Sequence, residues 1–369
     1  MTVIQQHIAD AGGKITFKDF MQLCLYQPGL GYYSVGTQKF GPQGDFITAP
    51  EISPLFSKTL ARHSHDVLTQ LDNANILEFG AGSGKMAGDL LQQLEQLAAL
   101  PKYYFILETS ADLRHRQQAY LQDKVPHLMS HIHWLDALPT AFSGVVLANE
   151  VCDAMPVHRL HYDNGTVQEY YVRQQHDELQ FCLGPLSNAA LETAAYALIP
   201  IIGNQSYTTE INLNAQAWLR SLANNLEQGA IFIIDYGYPR QTFYHPQRHT
   251  GTLACYYQHQ AHDNPLILTG LQDISCHVEF TSLAETAVDN GLDVAGFQSQ
   301  ADFLLAGDIT DLFAGIDYND EFDHFQRATE LKRLTLPSTM GEEFKALTLT
   351  KNLPQLLPRL HLADRRHAL

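Results

Sequence analysis

Apolar positions recur with helical spacing over residues 2–10 and again over 16–26. Phe20, Met21 and Leu25 belong to the second segment, which stops at Pro28-Gly29. The next stretch, GLGYYSVGTQKFGPQGDFITAPEI, shows no period. Glycines at 29, 31, 36, 41 and 44 mark turns, and structured loops of this length are often functional. Helical spacing returns from residue 55 to Leu71. Strands and helices then alternate: strand Asn75–Phe79, helix Lys85–Leu97, strand Tyr103–Glu108, helix Ala111–Asp123, strand Ile132–Leu135 and strand Gly144–Asn149. The last is apolar throughout, as a parallel sheet covered on both faces requires.

The period then changes to two in VHRLHYDNGTVQEYYVRQQHDELQFCLG, with Asp163-Asn164-Gly165 as a hairpin turn. The pattern predicts an antiparallel insertion at about 157–210 within the α/β domain. Trp218–Leu226 reads as helix and Ala230–Asp235 as a buried strand, followed by a long Pro/His/Tyr-rich loop at about 236–280. Thr281–Asn290 reads as a helix ended by Gly291, and Phe344–Thr350 as a late strand. These elements divide the chain into an N-terminal helical and loop segment, 1–54, and an α/β domain, 55–369.

The 369 residues are 45% hydrophobic and 17% charged, enough for a packed core, and the net charge is −17. A duplex-binding face must be basic, and no Lys/Arg cluster of that kind occurs, so nucleic acid and anionic membrane are not expected partners. Cys24, Cys152, Cys182, Cys255 and Cys276 are scattered and odd in number, as free thiols in a reducing compartment would be. The N-terminus, MTVIQQHIADAGGKITF, has neither a signal-peptide pattern nor Arg-rich character, and no apolar run reaches transmembrane length. A soluble cytoplasmic protein without membrane insertion is expected.

The chemistry begins at ILEFGAGSGKM, residues 76–86. A phosphate-binding G-x-x-x-x-G-K-[ST] loop needs four residues between its glycines and a hydroxyl after the lysine. Here three residues separate Gly80 from Gly84, and Met86 follows Lys85. The dinucleotide G-x-G-x-x-G also fits poorly, because Gly80, Gly82 and Gly84 are spaced G-x-G-x-G and leave less room for a pyrophosphate. Such a loop suits a ligand without phosphates lying against bare backbone; an ordinary tight strand–helix turn is the alternative. Glu78 precedes the loop. Glu108 ends the second strand about 20 residues on, where a carboxylate takes ribose hydroxyls, and Asp136 follows the third strand, within reach of an adenine amino group. An acidic cleft with a ribose and an adenine site suits S-adenosylmethionine, whose sulfonium is a cation.

Strand four ends ANEVCDAMPVH. Asn149 and Glu150 lie at its carboxyl edge, where open α/β sheets bind ligands, and Asp153 follows three residues later. Paired carboxylates suit a guanidinium, whose forked donors two acids can hold at once and whose pKa lies above ~12. They could localise its charge on one nitrogen, leave another nucleophilic and accept the released proton. An acidic first turn of a helix is the plainer reading.

Taken in order, these residues resemble the MidA-like family of class I S-adenosylmethionine-dependent methyltransferases. The likeness runs through ITFKDFMQLCLYQPGLGYYS, GDFITAPEISPLF, LEFGAGSGKMAGDLL, LANEVCDAMPVHRL, IDYGYP and RLTLPSTMGEEFKAL. The resemblance implies a class I Rossmann-like α/β sheet with an N-terminal helical and loop extension and an antiparallel β insertion. It implies S-adenosyl-L-methionine as cofactor and S-adenosyl-L-homocysteine as product. Cofactor contacts are expected from Glu78, Gly80, Gly82, Gly84, Glu108, Asp136 and Asn149, with Asp45, Phe46 and Thr48 covering the cleft beside Glu51. Glu150 and Asp153 are the expected catalytic pair. Glu51, His158, Tyr236, His259 and Asp273 are expected on the acceptor side.

Mitochondrial members of the family include a complex I assembly factor that is a protein arginine methyltransferase. A protein substrate, with a complex I (NADH dehydrogenase) subunit as the first candidate, is what the resemblance implies, and the absence of a presequence points to a bacterial member. A small-molecule methyltransferase and a non-catalytic assembly factor that binds the cofactor are the rival readings. The family's DIT-x-x-V-D-F is here Asp273-Ile274-Ser275-Cys276-His277-Val278-Glu279-Phe280, with Glu279 in place of an aspartate. His245, His249, His259 and His262 have spacings a metal could use, but an acceptor-side loop is the preferred reading and no metal is expected. Cys152 reads as a buried, space-filling thiol. Tyr32, Tyr33, Tyr236 and Tyr238 read either as pocket lining or as core. Oligomeric state and methylation pattern are not legible.

Overall fold

The structure, a computed structural model, describes residues 2–34, 47–258 and 260–369. It contains two compact units, one drawn from residues 1–37, 152–218 and 238–279, the other from 38–151, 219–237 and 280–369.

The second unit is built on a mixed sheet whose strands arise from the α/β alternation: β1 (Asn75–Phe79), β2 (Tyr104–Leu107), β3 (Ile132–Leu135), β4 (Phe142–Asn149), β5 (Leu226–Tyr238), β6 (Asp293–Ser299) and β7 (Phe344–Lys351). They lie in the order β3-β2-β1-β4-β5-β7-β6. Strands β1 to β5 pair in parallel, and β7 is antiparallel to both β5 and β6. The order reverses between β1 and β4, which opens a crevice at their carboxyl ends where ligands bind in such sheets. Ile76, Tyr104, Ile106, Val145, Leu147 and Phe232 pack with Leu60, Leu90 and Leu94 of the helices Pro54–Leu68 and Lys85–Gln96 in one buried cluster. That burial, removing apolar side chains from water, holds the strand ends in register. Ser53 starts the first of these helices, its hydroxyl accepting the Leu55 N–H, with Pro54 preset for the first turn.

The first unit contains an antiparallel sheet in the order Lys14–Thr16, Thr166–Gln175, His158–Asp163, Tyr207–Ile211, with Glu178–Gly184 also paired to Thr166–Gln175. Asn164 and Gly165 make the expected turn with φ of 48° and 77°. Leu160, Tyr162, Leu191, Tyr207 and Phe243 form its buried core.

Four features depart from the pattern-based expectation. Lys14–Thr16 is an edge strand between the two N-terminal helices, Val3–Asp10 and Phe17–Tyr26. The stretch at 236–280 is not all loop: Gln260–His262, Ala254–Tyr257 and Asp273–Ser275 form a small antiparallel sheet, in strands too short for alternation to stand out. The helix expected from Trp218 starts at Leu213, because the Asn212 side chain accepts the Ala215 N–H and caps it. Strand β6 escapes the pattern because its pairing shifts register between Val294 and Gly296.

Candidate active site

Strand β1 delivers Glu78 and then the glycine loop. Gly80, Gly82 and Gly84 have φ of 61°, 52° and 87°, left-handed values that a Cβ disfavours, so this path requires glycine. The helix Lys85–Gln96 starts directly after Gly84, which offers no capping side chain. Glu78 is wholly buried. Its Oε2 accepts the Tyr104 hydroxyl at 2.7 Å, while Oε1 is buried with no hydrogen-bond partner among the described residues. Burial pushes the Glu78 carboxyl up to about 8. The Tyr104 hydrogen bond opposes that rise and the nearby Glu108 charge adds to it.

Glu108 lies one residue past β2. Oε1 accepts the Ser110 N–H at 2.9 Å and Oε2 accepts Gln117 Nε2 at 3.1 Å. Burial raises its pKa, and these donors, with the Thr109 N–H, draw it back. Asp136 lies just past β3 with a side chain 90% exposed, held by Arg114 at 2.7 Å. Arg114 also donates to the Glu108 carbonyl at 2.5 Å and the Leu135 carbonyl at 2.7 Å, tying the ends of β2 and β3 together.

At the end of β4, Glu150 has φ of 53°, left-handed for a residue with a side chain. Its N–H donates to the Ile234 carbonyl of β5 at 2.8 Å, which holds the turn. Its Oε1 accepts the Ala49 N–H at 3.3 Å and Asn149 Nδ2 at 3.1 Å. Asn149 Oδ1 is buried with no partner among the described residues. Thr48 precedes the short helix Ala49–Ile52 without capping it through its side chain. Glu51, expected to cover the cleft and to lie on the acceptor side, has its carboxylate on the glycine loop and the helix that follows it: Ser83 donates to Oε1 and Lys85 Nζ to Oε2 at 2.7 Å. Tyr236 packs its ring 5.6 Å from that of Phe344. The structure therefore brings Glu78, the three glycines, Glu108, Asp136, Asn149 and Glu150 to the carboxyl ends of β1 to β4.

The remaining expected residues belong to the first unit. Asp153 is buried, and its carbonyl accepts the Cys276 N–H at 3.0 Å. His158 is also buried, its Nδ1 2.7 Å from Glu169 Oε1. Asp273 accepts the Tyr33 hydroxyl at 2.8 Å, and burial raises the Tyr33 pKa well above its ordinary value, with the Asp273 charge adding to the shift. Glu279 meets Arg240 at 3.5 Å. Cys152 is a buried thiol that is not disulfide-bonded. Asp45, Phe46 and His259 lie outside the described residues. Among the described residues no group of three or more His, Cys, Asp or Glu side chains is arranged to hold a metal ion.

The sequence reading passed over Tyr104, Arg114, Gln117 and Trp134. One signal was available: Leu113, Gln117 and Leu121 form the buried stripe of the helix Ala111–Lys124, with a polar residue at a core position.

A family model for S-adenosyl-L-methionine-dependent methyltransferases matches residues 59–298. The chain is 28% identical over 377 residues to the protein arginine methyltransferase NDUFAF7 homolog, mitochondrial, of Drosophila melanogaster, covering 91% of this chain and 82% of that protein. It is 28% identical over 387 residues to protein arginine methyltransferase NDUFAF7, mitochondrial, of Homo sapiens, covering 96% and 82%. A crystal structure of a Burkholderia thailandensis superfamily member bound to S-adenosyl-homocysteine matches with a TM-score of 0.95 and 41% identity, covering 99% of this chain and 95% of that one.

Proposed function

The chain belongs to this family of S-adenosyl-L-methionine-dependent methyltransferases, and from that premise we propose that it methylates an arginine in a protein substrate, with a complex I subunit as the first candidate. Its fold is the class I Rossmann-like α/β sheet and its cofactor is S-adenosyl-L-methionine. The residues fit that group. Glu78 Oε1 and Asn149 Oδ1 are buried acceptors without donors among the described residues, and a bound amino acid's ammonium would supply them. We assign Glu78, Gly80, Gly82, Gly84, Glu108, Asp136, Asn149 and Thr48 to its binding. When bound, the cofactor supplies an electrophilic methyl on a cationic sulfur.

The observation that carries the arginine reading is Glu150. A carboxylate at the carboxyl end of the central strand, on a residue held at φ 53°, is strain of the kind stored at functional sites. Glu150 would hold one edge of the guanidinium, concentrate its charge there, and accept the proton released as the opposite nitrogen is methylated. The relatives named above as protein arginine methyltransferases support the same acceptor.

The test uses purified protein, isotopically labelled S-adenosyl-L-methionine and a whole-cell extract, with mass spectrometry of protein digests. Label is expected on arginine nitrogens. Glu150→Gln should lower kcat by about 10²–10⁴-fold, the range of a positioned proton acceptor, while the affinity for S-adenosyl-L-homocysteine stays within about threefold. Label in the small-molecule fraction alone, or full turnover by Glu150→Gln, would overturn the assignment.

A further inference from the structure

Gln117 is wholly buried on the helix Ala111–Lys124, between Leu113 and Leu121. A leucine there would continue the apolar stripe, so packing alone does not ask for an amide, and a buried amide must be hydrogen-bonded to be tolerated. Gln117 is bonded on every side. Nε2 donates to the Gly82 carbonyl and to Glu108 Oε2, each at 3.1 Å, and Oε1 accepts Trp134 Nε1 at 2.9 Å. The chemistry of these partners fixes which way the amide faces. An indole nitrogen can only donate, and a backbone carbonyl and a carboxylate can only accept, so a flipped amide would lose all three bonds.

One side chain thus joins the glycine loop, the acid at the end of β2 and strand β3. With the Ser110 N–H on Oε1 and Gln117 on Oε2, neither oxygen of Glu108 can swing away. Each oxygen still has acceptor capacity for a ligand hydroxyl. We propose that Gln117 is the positioning residue of the cofactor's ribose site: its amide locks Glu108 and the Gly82 carbonyl in one geometry, so that the ribose hydroxyls meet a preformed acceptor. This rests on the assignment of Glu108 to the ribose made above. Preorganisation of this kind raises affinity by removing the ordering that the ligand would otherwise impose. The Gln117 donor also favours the ionised form of a carboxyl that burial pushes upward.

The test is calorimetric titration with S-adenosyl-L-homocysteine and with its 2′-deoxyribose analogue. Gln117→Met keeps the volume and removes the amide. It should weaken S-adenosyl-L-homocysteine about tenfold, the value of one hydrogen bond to a charged group, and the deoxy analogue less than about threefold. The acid limb of S-adenosyl-L-homocysteine affinity should move to higher pH, because Glu108 loses a donor to its charged form. Trp134→Phe leaves Gln117 in place but removes the donor to its Oε1, so the amide is held from one side only. It should act in the same sense by about threefold, and it carries the test if Gln117→Met does not fold. Equal weakening of both ligands, or no weakening of either, overturns the positioning role. If the wild-type protein itself does not distinguish the two ligands, the Glu108 assignment fails and the proposal falls with it. If wild type distinguishes them and both variants do so equally well, only the role of Gln117 falls.

Discussion

Glu78 and Glu169 are both carboxylates with no solvent exposure, one in each compact unit. Glu169, in the antiparallel sheet, is fully served: His158 Nδ1 lies 2.7 Å from Oε1, and the Ser187 N–H donates to Oε2 at 2.7 Å. Glu78, at the end of β1, is served among the described residues on one oxygen, by Tyr104. The same side chain, equally removed from water, therefore does different work. A buried carboxylate with both oxygens bonded ties strands together. One with an oxygen left over, beside a loop of left-handed glycines, offers an acceptor that the proposed cofactor would fill. The difference lies in the neighbours, since desolvation penalises both alike.

The comparison is broken most severely by Glu169→Ala, which strips the partner from His158 and the Ser187 N–H at once. A loss of about 3–5 kcal/mol in denaturant unfolding is expected from removing one member of a buried pair; a loss below about 1 kcal/mol would mean the pair holds nothing.

Next in size is Glu78→Gln, which should weaken S-adenosyl-L-homocysteine by about 1.5–3 kcal/mol without the stability loss of the first variant. Its stability relative to wild type should also change with pH. The folded-state pKa of Glu78, about 8, is raised above the ordinary value of 4.5. Its protonated form therefore contributes fully at pH below 4.5, and that contribution is lost as pH rises toward 8. Glutamine cannot ionise, so without ligand the variant should gain on wild type by up to about 1.4 kcal/mol per pH unit across that window. A difference in melting curves that does not change between pH 5 and pH 8 would contradict the burial of an unsatisfied acid.

Tyr104→Phe is the mildest probe. It removes the one donor Glu78 has, and a fall of about 1 kcal/mol in S-adenosyl-L-homocysteine affinity is expected. An unchanged affinity would show that the tyrosine does not orient the acid.

Much of the site was legible because its signals are local. The glycines marked a loop of bare backbone after the first strand, Glu78 and Glu150 stood at strand ends, and Asn164-Gly165 announced the hairpin. The partners of Glu51 were not legible for the opposite reason: Ser83 and Lys85 lie more than 30 residues away. Gln117 and Arg114 were passed over because a polar residue on a helix reads as surface until the strands beneath it are known.

By itself the sequence determined most strands and helices from Asn75 to Asn149, the insertion hairpin at Asn164-Gly165, the place of the glycine loop and which acids end the strands. Each of these depends on backbone preference and periodicity within a few residues. Only the tertiary structure decided the order β3-β2-β1-β4-β5-β7-β6, the pairing of Lys14–Thr16 with Thr166–Gln175, the three-way role of Gln117 and the raised pKa of Glu78. Pairing order, hydrogen-bond partners and desolvation are properties of what surrounds a residue in space, and chain separation does not encode them.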